Sequence, residues 1–320
     1  MKSRAVGAAP VALVTRWLRR QEETAPWPTT GAVNWSGVVA FVLLAFGLGW
    51  AAWIGLRGLC PLALRTYIAV FAPMFAAIAV LRVQRRGSLR RDRRVGLKRV
   101  MEAIPESILG ICLVGAAVAA GVGLSLLTGT LALRVGVGQD LLGSGLPIPL
   151  ILVLYWVTAF GEEYGWRGFL VPQLAPLGGL RLSVLVAFLF AVWHVPPIFL
   201  YGFDYPAHQI AALGIFLAYA VPFTVLQTWL RAATRGLAAP VAAHATMNLL
   251  AGIVYANFSR TNWTLAGPVG LLGAVPFAVG AIVIVVTGRL WWEHGRRSFS
   301  LPLTPITAPF TPVTQTLEAA

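Results

Sequence analysis

The chain has 320 residues, 58% of them hydrophobic and 11% charged, against roughly 25% charged in a soluble domain. That composition excludes a soluble globular protein and predicts an all-α, polytopic membrane protein. The net charge of +14 does not point to nucleic acid, because the basic residues sit beside apolar runs and form no patch interleaved with aromatics.

Residues 1–33 are basic and lack the long apolar stretch of a cleaved signal peptide, so they read as a cytoplasmic N-terminal segment in which 11–20 can lie on the membrane surface. A spanning helix needs about 20 largely apolar residues. Eight segments qualify: 35–56, 62–81, 104–133, 146–170, 180–201, 209–230, 237–257 and 265–288. The third is long enough to tilt, or to break near Gly121 and Gly123. Cys60 and Cys112 have neither metal-ligand nor disulfide spacing and read as small packing residues. The predicted organisation is a transmembrane domain over 34–290, followed by a disordered cytoplasmic tail over 291–320.

The basic residues set the orientation. Arg16, Arg19 and Arg20 precede the first span, and Arg85, Arg86, Arg90, Arg91, Arg93, Arg94, Lys98 and Arg99 lie between the second and third. Arg181, Arg231, Arg235 and Arg289 fall on the same side, and the opposite side receives Arg57, Arg134 and Arg260. The positive-inside rule then predicts both termini in the cytoplasm. The loop 82–99 serves as a topology determinant that can also meet anionic headgroups.

Ionisable residues inside apolar spans are costly and read first as functional. Glu162, Glu163 and Arg167 close the fourth span, Phe190 and His194 lie in the fifth, and His244 and Asn248 in the seventh. Residues i and i+4 share a helix face, which allows Glu163 to pair with Arg167 and sets His194 with Phe190 and Asn248 with His244. Counting about 1.5 Å per residue puts Glu162 and His244 roughly 10–13 Å from the cytoplasmic ends and His194 nearer roughly 20 Å. Pro196 and Pro197 cannot continue a regular helix, and a break at that depth requires a protein-lined or watery cavity. Asp204 and His208, in the loop after the fifth span, read as interfacial residues. A carboxylate and an imidazole can hold and deprotonate a water, while a second imidazole and an amide can donate to an oxyanion. The same Glu162, His194 and His244 could instead ligate zinc with one open position. A transporter and a non-catalytic membrane partner are the alternatives; missing repeat symmetry weighs against the first and an uncompensated buried Glu162 against the second.

Three motifs in order, Glu162-Glu163-Tyr164-Gly165-Trp166-Arg167, Phe190-Ala191-Val192-Trp193-His194 and His244-Ala245-Thr246-Met247-Asn248, make residues 145–255 resemble the CPBP intramembrane proteases, which include the type II CAAX prenyl endopeptidases and proteins of bacteriocin self-immunity. The resemblance implies an endopeptidase whose helices enclose an intramembrane catalytic cavity, open to the cytoplasmic side and laterally to lipid. Glu162 with His194 would activate water near the cytoplasmic face, His244 and Asn248 would form the oxyanion site, Glu163 and Arg167 would orient the first motif, and Phe190 would pack the site. The implied partners are the bilayer and a membrane protein or lipidated peptide substrate. The amide of Asn248 suits a hydrogen bond better than a zinc bond, so no cofactor is favoured, with zinc on Glu162, His194 and His244 as the other reading.

Overall fold

The structure, a computed structural model, describes residues 31–84, 103–134, 148–202, 205 and 208–290. The surface helix expected at 11–20, most of the basic loop, Asp204 and the C-terminal tail lie outside these residues. The described chain is helical apart from one short strand pair, in the order α1 (Trp35–Trp50), α2 (Leu62–Ala69), α3 (Ala72–Val83), α4 (Ile104–Leu127), β1 (Leu131–Leu133), α5 (Ile148–Glu163), α6 (Val171–Leu174), α7 (Gly179–Trp193), α8 (Val195–Tyr201), α9 (Gln209–Thr234), α10 (Ala238–Asn257), β2 (Phe258–Arg260) and α11 (Leu271–Val286). It is a polytopic all-α membrane protein. Six helical segments are long and apolar enough to cross a membrane: Trp35–Gly55, Leu62–Val83, Ile104–Leu127, Gly179–Tyr201, Gln209–Thr234 and Ala238–Asn257.

The two other expected spans have local reasons to differ. The fourth changes character at its charged end: α5 stops at Glu163 and the chain winds on as a π-helix over Tyr164–Leu170. The eighth shortens to the 16 residues of α11, because Gly267 takes φ +89° and the chain before it folds into turns around the Asn262 side chain. The third ends at Leu127 rather than 133. Gly129 then turns with φ +67°, and β1 pairs antiparallel with β2, Leu131 opposite Arg260. α4 runs unbroken through Gly121, where a Cβ would lie 2.8 Å from Gly273 Cα, so the glycine serves close packing on α11 rather than a break.

Prolines account for the interruptions in the second and fifth spans. Pro73 has no amide hydrogen to give Ala69, and the helix resets between α2 and α3. Pro196 and Pro197 open α8, and His194 is left at the joint with φ −80° and ψ 1°. The carbonyl of Trp193, which Pro197 cannot satisfy, accepts a hydrogen bond from Trp50 Nε1 at 3.1 Å, and the Trp193 indole donates to Ala45 O at 3.2 Å. Two indoles thus fasten the break to α1. Around them Trp53, Trp166 and Phe190 pack against Trp193 with ring centroids 4.6, 6.0 and 6.4 Å away. Cys60, in the bend before α2, is half-buried and Cys112, on α4, is exposed, so neither is the small core residue expected from its apolar surroundings in the sequence.

α10 packs against α4 and α5, α9 against α7 and α11, and α1 against α3, while the π-helix after α5 leans on α3. Gly165 makes that last contact, since a Cβ there would run into the Cβ, C and O atoms of Pro73. Gly165→Ala is expected to lower stability by about 1–3 kcal/mol through overpacking against rigid backbone. Gly47→Ala, where the new methyl meets nothing within 4 Å, is expected to hold or raise it; thermal unfolding in detergent reads both.

Candidate active site

All four residues expected to do chemistry, Glu162, His194, His244 and Asn248, line one cavity of about 520 Å³. Glu162 reaches it from the last turn of α5, His194 from the joint between α7 and α8, and His244 and Asn248 from successive turns of α10. Phe190 stands between the imidazoles, its ring centroid 4.4 Å from that of His194 and 6.3 Å from that of His244. Phe216 closes on His194 at 4.8 Å and Phe223 on His244 at 6.0 Å. An aromatic collar therefore crowds both rings, which are 7% and 4% exposed for His194 and His244.

The imidazoles are fixed differently. His194 Nδ1 lies 2.8 Å from Phe190 O, its own helix's carbonyl four residues back. A carbonyl only accepts, so Nδ1 carries the proton and the neutral ring presents Nε2 as its acceptor. His244 Nδ1 lies 2.8 Å from Glu163 Oε1, which likewise makes Nδ1 the donor and orients Nε2.

Glu163 does more than the helical pairing implied. The same Oε1 accepts from Arg167 Nη1 at 2.9 Å, and both side chains of that ion pair are fully buried. Arg167 goes on to Thr224 Oγ1 at 3.3 Å through Nη2, and its own carbonyl accepts from Arg231 Nε at 3.3 Å. Gln227 Nε2 donates to Pro240 O at 3.1 Å, tying α9 to the start of α10. Thr224, Gln227 and Arg231 were not among the candidate residues. Their spacing of three and then four puts them on one face of an apolar helix, which was the available signal, but Arg231 reads most simply as a terminal topology charge. It is in fact 4% exposed.

Glu162 has no such support. It is 4% exposed, and its Oε2 has no hydrogen-bond partner among the described residues. A buried polar atom left unpaired costs about 1–3 kcal/mol, more when charged; Glu163 Oε2 and Arg167 Nε are also unpaired, but of the three residues Glu162 is the one on the cavity wall, where a ligand or water can reach it. Asn248, half-buried on the cavity wall, supplies an amide one turn beyond His244.

Among the described residues no three His, Cys, Asp or Glu side chains are grouped closely enough to hold a metal ion, and the bonds to Phe190 O and Glu163 give the two imidazoles separate anchorages. The cavity also does not run toward the end where the basic segments attach. Beyond Glu162 and His244 in that direction lie the buried Glu163, Arg167, Thr224 and Gln227, while its remaining wall, from Thr158 to Trp53, Tyr255 and Val269, lies toward the other end. His208 stacks on Trp263 with ring centroids 6.2 Å apart and is not among the residues lining the cavity.

Residues 144–250 match the family model described as type II CAAX prenyl endopeptidase Rce1-like, which spans all three motifs. This segment is similar to an Rce1-like domain, and that family is one of peptidases. A search of curated proteins gives no match to the chain.

Removing one partner of a buried ion pair typically costs about 3–5 kcal/mol. Glu163→Gln and Arg167→Met are each expected to destabilise the protein by about that amount, and Thr224→Val by about 1 kcal/mol, the worth of one neutral hydrogen bond. Denaturant or thermal unfolding in detergent measures all three, and the double variant at 163 and 167 should cost less than the sum of its parts.

Proposed function

We propose that the chain is an intramembrane endopeptidase in which Glu162 and His194 activate a water and His244 and Asn248 receive the oxyanion, with Glu163, Arg167 and Phe190 supporting them. The observation that carries this reading is the unpartnered, buried Oε2 of Glu162 in a cavity that also holds two oriented imidazoles and one amide. The match of residues 144–250 to a peptidase family favours hydrolysis over transport.

In the proposed step a water lies between the Glu162 carboxylate and Nε2 of His194. Its oxygen attacks the scissile carbonyl while its proton passes to Glu162. The carbonyl oxygen becomes an oxyanion and takes hydrogen bonds from Asn248 Nδ2 and from Nε2 of His244. Nε2 donates only when the His244 ring carries both protons. The two carboxylates Glu162 and Glu163 against the single guanidinium of Arg167 leave room for that second positive charge. Collapse of the tetrahedral intermediate breaks the C–N bond, and the proton held by Glu162 leaves with the amine. Water, peptide and two products balance without a further reactant.

The substrate in this reading is a membrane protein or a lipidated peptide, since most of the cavity wall is apolar and aromatic and the matched family is described as acting on prenyl substrates. A purified, reconstituted protein is tested against a library of membrane-anchored peptides. Glu162→Gln is expected to lower cleavage by about 10²–10⁴-fold, the usual contribution of a positioned acid–base group. Asn248→Ala is expected to lower kcat by about 10²–10³-fold, as for loss of one oxyanion donor. Both variants should keep wild-type thermal stability, and a Glu162→Gln protein that cleaves at the wild-type rate would overturn the assignment.

A further inference from the structure

Every long helix around the cavity lines it on one side only of the level of Glu162 and His244. On α5 the wall runs from Leu154 to Glu162, and the residues that follow, from Glu163 to Arg167, are buried. On α9 the wall runs from Phe216 to Phe223, and Thr224, Gln227 and Thr228 beyond it are fully buried. On α10 the residues before His244, from Ala239 to Ala243, are buried, and the wall runs on from His244 to Tyr255. At about 1.5 Å per residue, His244 stands roughly 9 Å and Tyr255 roughly 26 Å above the start of α10. One end of the bundle is thus plugged by the Glu163–Arg167 pair and its neighbours, and the cavity extends from the plug toward the other end.

The plugged end is the one to which the basic segments are joined. Residues 1–33 lead into α1 there, the segment between Val83 and Ile104 with its eight arginines and lysines joins α3 to α4 there, and Arg235 lies in the turn between α9 and α10. By the positive-inside rule that end faces the cytoplasm.

We propose that the cavity is open to the membrane half away from the cytoplasm, and that its substrate is a membrane-anchored polypeptide whose cleaved segment reaches Glu162 from that outer half rather than as a cytoplasmic tail. The proposal rests on the endopeptidase reading for its substrate but not for its sidedness. A chain approaching from the basic end would have to displace a fully buried ion pair, at a cost of several kcal/mol. Toward the other end the wall is mostly apolar, and two residues on it, Leu62 and Tyr67, are 38% and 43% exposed. Apolar side chains can pass along that lip directly from lipid, so an anchored chain needs no excursion through water.

The test is the sidedness of thiol labelling, with a small membrane-impermeant charged maleimide on right-side-out and inverted vesicles. Single-cysteine proteins are made in a Cys60→Ala, Cys112→Ala background. Arg82→Cys marks the basic end, and a protein keeping Cys60 alone marks the far end. Thr158→Cys reports the cavity one turn above Glu162, and Ala251→Cys, on α10, is a second reporter should the first fail to fold. The expected result is that the cavity cysteines label from the face that labels Cys60 and not from the face that labels Arg82→Cys. Labelling from the Arg82→Cys face, from both faces, or from neither overturns the proposal. Two anchored reporters extend the test to substrate: one with its extended segment on the Cys60 side should be cleaved, and one with the segment on the opposite side should not, the reverse outcome overturning the substrate class. Because labelling needs no catalysis, loss of the endopeptidase reading would leave the sidedness result standing, and the reverse.

Discussion

A single carboxylate oxygen, Glu163 Oε1, receives both Arg167 from its own helical run and His244 from α10. Neither Glu163 nor Arg167 is exposed at all, and charges withdrawn so fully from water are tolerated only when paired and hydrogen-bonded. The rest of the site follows from this constraint. His244 must turn Nδ1 to Glu163, so its other nitrogen faces the cavity. Arg167 must reach Thr224, which draws α9 against the end of α5. The neighbouring Glu162, one residue earlier and on a different face, is left without such a partner. Two adjacent glutamates thus acquire different surroundings from geometry alone, one consumed by structure and one set on the cavity wall.

The same layer separates the two ends of the bundle. Membrane helices can leave irregular backbone at depth only where protein or a water-lined cavity satisfies it. Here the break at His194 is satisfied by Trp50 on one side and opens onto the cavity on the other. The proline pair that interrupts the fifth span is therefore part of how the site is made: it turns His194 out of regular helix, and the indoles of Trp50 and Trp193 keep the break rigid. The aromatic rings then crowd both imidazoles, which suits the proposed hydrolysis, whose donors must be aimed before the substrate arrives.

Much of this was legible in the chain. Hydropathy fixes the long apolar helices, because backbone groups in lipid must be satisfied within each segment, and the three motifs nominate Glu162, His194, His244 and Asn248, which the fold gathers in one cavity. Helical spacing alone gives the Glu163–Arg167 pair. The contacts it could not give are those between helices distant in sequence. The bond from His244 to Glu163 crosses 81 positions, and no periodicity within α5 or α10 encodes it. Thr224, Gln227 and Arg231 look like ordinary helix residues until α9 is laid beside the π-helix.

By itself, then, the sequence determined that this is a polytopic membrane protein, which ionisable residues lie in its apolar helices, and that the proline pair breaks the fifth span, since all of these depend on local composition and on the solvation of single segments. The tertiary structure alone decided which glutamate is paired and which is open, and toward which end of the bundle the cavity runs. Both are properties of how five helices approach one another, and a buried charge takes its role from whichever neighbour comes within hydrogen-bond reach.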